Sequence, residues 1–375
     1  MSDSFSSSLE LAPALRSAAA VACRDSLKLR PGEKVLIVTN PLRDVLEISA
    51  ALFDAAREAG ASPSLLVQPV KAQMDYAEES VIAAFEAQPD VVMSISAEKL
   101  GKDREGIRTP YEWDGTSYDH IFHYQLRGAK TIRAFWSPNV TREMFARTVP
   151  LDYAELGERC RRVAAVLAGA EEVRVTNPNG TDLRLGLRGR KPLRDDGDYS
   201  RPGSGGNLPA GEVFVSPELG TARGLVVYDG SIADQAGDIL IREPIRCSVE
   251  GGFVVDIAGG SEAAALRRAV DTAAANARRM AADGLLSPAK AEAYARNARS
   301  VGELGIGLNP LASVAGNMLE DEKAFRTCHF AIGSNYDEDA PALIHLDGLV
   351  SRPTIVAVDA RGRETVIERD GELLV

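Results

Sequence analysis

The sequence predicts an α/β protein in two parts: a parallel-sheet α/β domain over residues 1–170, then an α+β domain over residues 171–375 that carries the chemistry. Three observations lead there. Short β-branched runs alternate with helical periodicity in the first half. Near residue 170 the texture changes to hairpin-like strands rich in Gly and Pro. Histidines and carboxylates set in apolar surroundings then gather toward the C-terminal end.

The first run is Lys34-Val35-Leu36-Ile37-Val38, followed by Val45, Ile48, Leu52, Ala55 and Ala59 at helical spacing, with Gly60 as a stop. A strand at Ser64–Gln68, a helix around Ala77–Ala87, and strands at Val91–Ile95 and Thr131–Trp136 continue the pattern. Strand–helix–strand units at this spacing imply parallel pairing covered by helices. The first strand-to-helix turn, Val38-Thr39-Asn40-Pro41, has no GxGxxG, so this sheet offers no dinucleotide fingerprint. A helix over Asp152–Leu167 leaves the unit. Beyond it, Asn177-Pro178-Asn179-Gly180 joins two alternating runs as a hairpin, because Asn-Gly tolerates the positive φ of a tight turn. A helix from Ser261 to Gly284 precedes a second one that opens on Ser287 as N-cap and Pro288 in the first turn.

Composition excludes several function classes. Among 375 residues, 54 Asp and Glu outweigh 43 Lys and Arg for a formal charge of −11, which argues against nucleic acid or an anionic membrane as partner. No window approaches the ~18 apolar residues of a membrane span. The N-terminus carries Asp3 and Glu10 and does not read as a signal peptide. Cys23, Cys160, Cys247 and Cys328 are scattered without CxxC pairs, as expected of reduced thiols in a cytoplasmic protein.

Only four histidines are present, so imidazole chemistry must draw on His120, His123, His329 or His345. His120 and His123 have HxxH spacing but no third ligand nearby, and a structural role is expected. In PALIHLDGLV, strand alternation puts His345 and Asp347 on one face, either as a metal-ligand pair or as a core His donating to an Asp. His329 lies in a second strand-like run, TCHFAIG. Glu212 and Glu303 are embedded in Gly and apolar sequence, where a solvated Glu is out of place; burying a carboxylate is costly unless it is paired or binds a cation. Within LEDEK, Glu320 and Asp321 read as a charged, solvated turn. If Glu212, Glu303, Glu322 and Asp347 converged with two neutral imidazoles, their charge would balance two divalent cations, the composition of a two-metal hydrolytic site.

The segments NLPAGEVFVSP, YDGSI, SVEGGFVVDI, ELGIGLNP, LEDEK, CHFAIGSNY and IHLDG, in this order over roughly half the chain, resemble the M29 metalloaminopeptidase family, also called the aminopeptidase T family. The resemblance implies an α/β domain plus a metal-carrying C-terminal domain, a homodimer, and two divalent ions, zinc or cobalt before manganese or iron. Its metal ligands would be Glu212, Glu303, Glu322, His329, Tyr336, His345 and Asp347. In such a hydrolytic mechanism a carboxylate must shuttle the proton to the leaving amine, for which Glu212 is the candidate, and Tyr336 is a ligand or oxyanion stabiliser. The function expected on this basis is a hydrolase removing the N-terminal residue of a peptide or small amide. The alternative is a mononuclear Fe(II) ring-cleaving dioxygenase of the 2,5-dihydroxypyridine type, on a similar scaffold with two His and one Asp as ligands. Those enzymes have a His in place of the ELGIG glutamate and an apolar residue in place of the GEVF one; Glu303 and Glu212 therefore favour the peptidase. The segment DEDAPALI after Tyr336 departs from the more Gly-rich M29 pattern and would border the site.

Overall fold

Contacts along the chain, described in a computed structural model over residues 12–72, 74–234 and 237–375, divide it into two units. One comprises residues up to 157 together with Asp195–Ala210; the other comprises Glu158–Arg194 and Gly211–Val375. The N-terminal segment with Asp3 and Glu10 lies outside the described residues.

The first unit is the expected parallel α/β layer. Its five strands run in the order Gly205–Asn207, Arg133–Trp136, Val91–Ile95, Lys34–Thr39 and Ser62–Val67, all paired in parallel. Val35 to Thr39 are all buried, the near-continuous apolar run of a strand covered on both faces. The helix Arg43–Glu58 lays Val45, Ile48, Leu52 and Ala55 into the core, and Gly60, at φ +82°, ends it. Among the described residues no helix is long and apolar enough to cross a membrane.

The second unit is built on antiparallel pairing. An eight-stranded sheet contains the hairpin of Ala170–Thr176 and Asp182–Gly186, whose turn closes with Gly180 at φ +106°. Helix Ser261–Ala282 buries Leu266, Val270, Ala273 and Ala277, and Ser287 Oγ accepts from the Lys290 N–H to start the helix Pro288–Asn297. The other sheet has seven strands, in the order Gly237–Leu240, Ser231–Asp234, His345–Ser351, Thr327–Gly333, Val301–Gly307, Glu212–Val215 and Leu193–Asp195. Its strands Val301–Gly307 and Thr327–Gly333 are buried along their whole length. Glu303 and His329 are thus charged or titratable exceptions inside otherwise apolar strands.

Candidate metal centre

Sheet register gathers the histidines and carboxylates. Across neighbouring strands Glu303 faces Ala331, which faces Asp347; Gly305 faces His329; Gly333 faces His345; and Glu212 and Phe214 face Gly307 and Gly305. Alternate residues share a face, so Glu212, Glu303, His329, His345 and Asp347 all project from one side of four adjacent strands. Small residues make the floor. A Cβ at Gly305 would run into the His329 imidazole, so the absence of a side chain there is what lets the ring lie across the neighbouring strand. Ala331, between Glu303 and Asp347, leaves space over the middle strand.

The polar atoms then meet at close range. His345 Nε2 is 3.0 Å from Glu303 Oε2 and 3.4 Å from Asp347 Oδ1; His329 Nε2 is 3.3 Å from Glu303 Oε1 and 3.5 Å from Glu212 Oε2. Two triples, Glu303–His345–Asp347 and Glu212–Glu303–His329, each place one ligand atom per residue within 4.8 Å of the others, and Glu303 belongs to both. In the first triple, Glu303 Oε2, His345 Nε2 and Asp347 Oδ1 are buried without a hydrogen-bond partner despite their proximity. An imidazole nitrogen and two carboxylate oxygens that converge this closely in a buried place fit a cation between them. His345 Nδ1 lies 2.8 Å from the Ser334 carbonyl, which can only accept, so Nδ1 carries a proton and Nε2 is turned to the carboxylates, where a bound cation would displace its proton and take the lone pair.

Electrostatics agree. Burial alone would lower the His329 pKa, but the adjacent Glu303 carboxylate prevails and holds it up at about 9. Burial likewise opposes protonation of His345, and Asp347 and Glu303 overcome it, raising the ring well above its ordinary value. Carboxylates that draw a proton onto an imidazole this strongly would draw a divalent cation to the same place.

The LEDEK segment is not a solvated turn. Glu320 and Asp321 are buried, Glu320 Oε1 accepting from Ser313 N and Oγ at 2.6 and 2.9 Å, and Asp321 from the amides of Ala315 and Gly316 at 2.7 and 2.9 Å. Both acids hold a loop whose amides would otherwise lack acceptors. Lys323, which sequence reasoning passed over, is fully buried; its Nζ is 2.5 Å from Glu212 Oε1 and 2.6 Å from Glu322 Oε1. A lone Lys among acids gives no local signal of burial. Glu322 is therefore joined to this ammonium and lies outside both triples. Tyr336 is half exposed; its ring packs on Phe214 at 4.7 Å and edge-on to His345 at 5.4 Å. Away from this cluster, His120 caps a short helix, its Nδ1 accepting from the Phe122 N–H while Nε2 meets the Gly101 carbonyl, as a structural His would.

Comparison with known proteins favours the second of the two chemistries. The profile of the NicX family, 2,5-dihydroxypyridine 5,6-dioxygenase, matches residues 123–334, more than half of the chain. The chain belongs to this family. A 2,5-dihydroxypyridine 5,6-dioxygenase of Pseudomonas putida is 31% identical over 134 residues, 33% of this chain and 35% of that protein, so the alignment spans about a third of the relative's length. Among solved structures, 2,5-dihydroxypyridine dioxygenase from Pseudomonas putida KT2440 superposes with a TM-score of 0.68 at 18% identity, covering 96% of this chain and 97% of the other. Wild-type AmpT from Thermus thermophilus gives 0.65 at 18%, covering 96% and 99%. Both structures share the fold, so the scaffold is the one the M29 resemblance implies. The expectation of a hydrolase, an aminopeptidase acting on peptides, is overturned: the family match and the curated relative both name a dioxygenase. Glu212 and Glu303 misled because their carboxylates were read as the mark of a two-metal hydrolase, whereas NicX membership is carried by much longer sequence around them.

Proposed function

We propose that this NicX-family chain is a mononuclear Fe(II) dioxygenase that opens a dihydroxylated pyridine-type ring. The observation that carries the reading is the convergence of Glu303 Oε2, His345 Nε2 and Asp347 Oδ1, buried and without hydrogen-bond partners. One imidazole and two carboxylates form a variant of the two-His, one-carboxylate triad, with Glu303 where the family resemblance leads one to expect a second His. Carboxylate and imidazole donors both suit Fe(II), and a three-residue set leaves coordination positions open. In this reading one iron replaces the zinc or cobalt pair.

Bound there, Fe(II) supplies the one-electron chemistry that lets dioxygen react with an electron-rich ring. The chain's own residues do the rest. Ser334 fixes the His345 tautomer. Tyr336 and Phe214 form an aromatic wall on which a planar substrate can pack, gaining roughly 0.5–1.5 kcal/mol beyond burial. His329 Nε2, between Glu303 and Glu212, would be freed by a cation on Glu303 to take the proton of a ring hydroxyl, because the negative charge that holds its pKa up at about 9 is then neutralised. Glu212 and Glu322 border the ion instead of ligating it, and Tyr336 is wall instead of ligand.

The test is anaerobic loading with Fe(II), addition of 2,5-dihydroxypyridine and admission of oxygen. Loss of ring absorbance with one oxygen molecule consumed per ring is expected. A chain carrying stoichiometric iron that consumes no oxygen with this substrate, nor with other dihydroxylated aromatic rings, would refute the proposal.

A further inference from the structure

We infer that Lys323 is a built-in cation that takes the place of a second metal ion, so that the chain loads a single divalent ion; the inference rests on the metal reading above. Two triples share Glu303, the arrangement a pair of ions bridged by one carboxylate would use, with paired catalytic ions typically ~3.5–4 Å apart. Nothing in the two triples themselves says why only one should fill. Lys323 distinguishes them. Its ammonium lies 2.5 Å from Glu212 Oε1, on the outer carboxylate of the Glu212–Glu303–His329 triple, whereas on Asp347 of the other triple it acts through its field.

The lysine is delivered by backbone that the sheet is shaped to admit. Residues 323–324 lie against Gly307, where a Cβ would collide with the Ala324 carbonyl. Asn309 pairs with the same segment in both directions: its N–H donates to the Lys323 carbonyl at 2.9 Å, and its carbonyl accepts from the Phe325 N–H at 3.2 Å. Lys323 has no exposed side-chain surface, so the ammonium is dehydrated and held at the carboxylates. Charge follows. The three carboxylates of the two triples, Glu212, Glu303 and Asp347, bring three negative charges; Lys323 and one divalent ion balance them, and a second divalent ion would leave a positive excess in a buried place. An ion on the Glu212 triple would also face a fixed ammonium across one carboxylate group, at a separation where like charges repel strongly in a low-dielectric interior.

Metal counting tests this, with Mn(II) as the probe because its spin signal reports whether bound ions are isolated or paired. The metal-free chain is titrated with Mn(II), followed by elemental analysis and electron paramagnetic resonance. The wild-type chain should bind one ion with an uncoupled spectrum, and Lys323→Met, of similar volume without charge, should bind a second and show spin coupling. Two ions in the wild type would overturn the inference while leaving the metal site intact. One ion in both proteins would also overturn it, and none in the wild type would overturn the metal reading itself. Should the Met variant not fold, Lys323→Gln carries the same comparison with the same expected gain of one ion.

Discussion

Glu368 tests how this unit tolerates a buried acid away from the metal cluster. It lies in the strand Glu364–Arg369, fully buried, and neither carboxyl oxygen meets a hydrogen-bond donor. Burial pushes its carboxyl up to about 8 from an ordinary 4.5, with Arg326 only partly opposing. The folded chain therefore keeps a proton there that the unfolded chain releases. The sign follows: the stability associated with the neutral carboxyl is whole below pH 4.5 and is lost progressively as pH rises through about 8. Each pH unit in that window costs ~1.4 kcal/mol, so between pH 5 and pH 7.5 the wild type loses about 3 kcal/mol that Glu368→Gln, which does not ionise, keeps. The amide introduces a donor of its own whose cost does not vary with pH, so the widening of the difference matters and its absolute value does not. Urea denaturation of the metal-free chain followed by far-ultraviolet circular dichroism is the assay. Tryptophan fluorescence would miss it, since Trp113 and Trp136 both belong to the other unit. Parallel stability curves for the two proteins from pH 5 to pH 7.5 would refute the reasoning.

Further outcomes concern the site. Glu303→Ala should abolish stoichiometric iron, whereas Glu303→His, which restores a two-His, one-carboxylate set, should retain it; equal iron content in wild type and Glu303→Ala would exclude Glu303 as ligand. Gly305→Ala should push the His329 ring out of its place and cut turnover by ~10²-fold or more, as misplacement of a reacting group does; an unchanged rate together with unchanged His329 resonances would contradict this. Arg190, nearly buried and 2.9 Å from Asp339, ties down the loop that carries Tyr336. Arg190→Ala should raise KM for the ring substrate several-fold with little effect on kcat, and an unaltered KM would show that this loop does not govern substrate binding.

Much of the site was legible because its signals are local. Alternation in His345-Leu346-Asp347 places two candidate ligands on one face whatever the rest of the chain does, and an acid in ELGIG is out of place in any solvated reading. The parallel sheet was equally readable from runs such as Lys34–Val38. Lys323 was not. Its burial depends on Gly307 admitting a segment sixteen residues further along the chain, a contact between strand and loop that no window of sequence contains. The same omission distorted the chemistry: four carboxylates were counted toward two cations without the ammonium that sits between two of them. Glu320 and Asp321 were misjudged for a related reason, since their partners are loop amides whose position only the tertiary fold sets.

The shared face of the seven-stranded sheet has a consequence for how the protein is made. With side chains alternating, sliding the strand His345–Ser351 by one residue past its neighbour would send His345 and Asp347 together to the opposite side and leave Glu303 with His329 and Glu212 alone. The Glu303–His345–Asp347 triple is thus a gauge of correct strand alignment, formed or absent rather than graded. An ion captured during folding would favour the right alignment by mass action, by about 2.7 kcal/mol at a concentration a hundred times its dissociation constant. Chain synthesised under metal starvation should therefore yield a larger share of misaligned, aggregation-prone product than chain that meets the ion as the sheet closes.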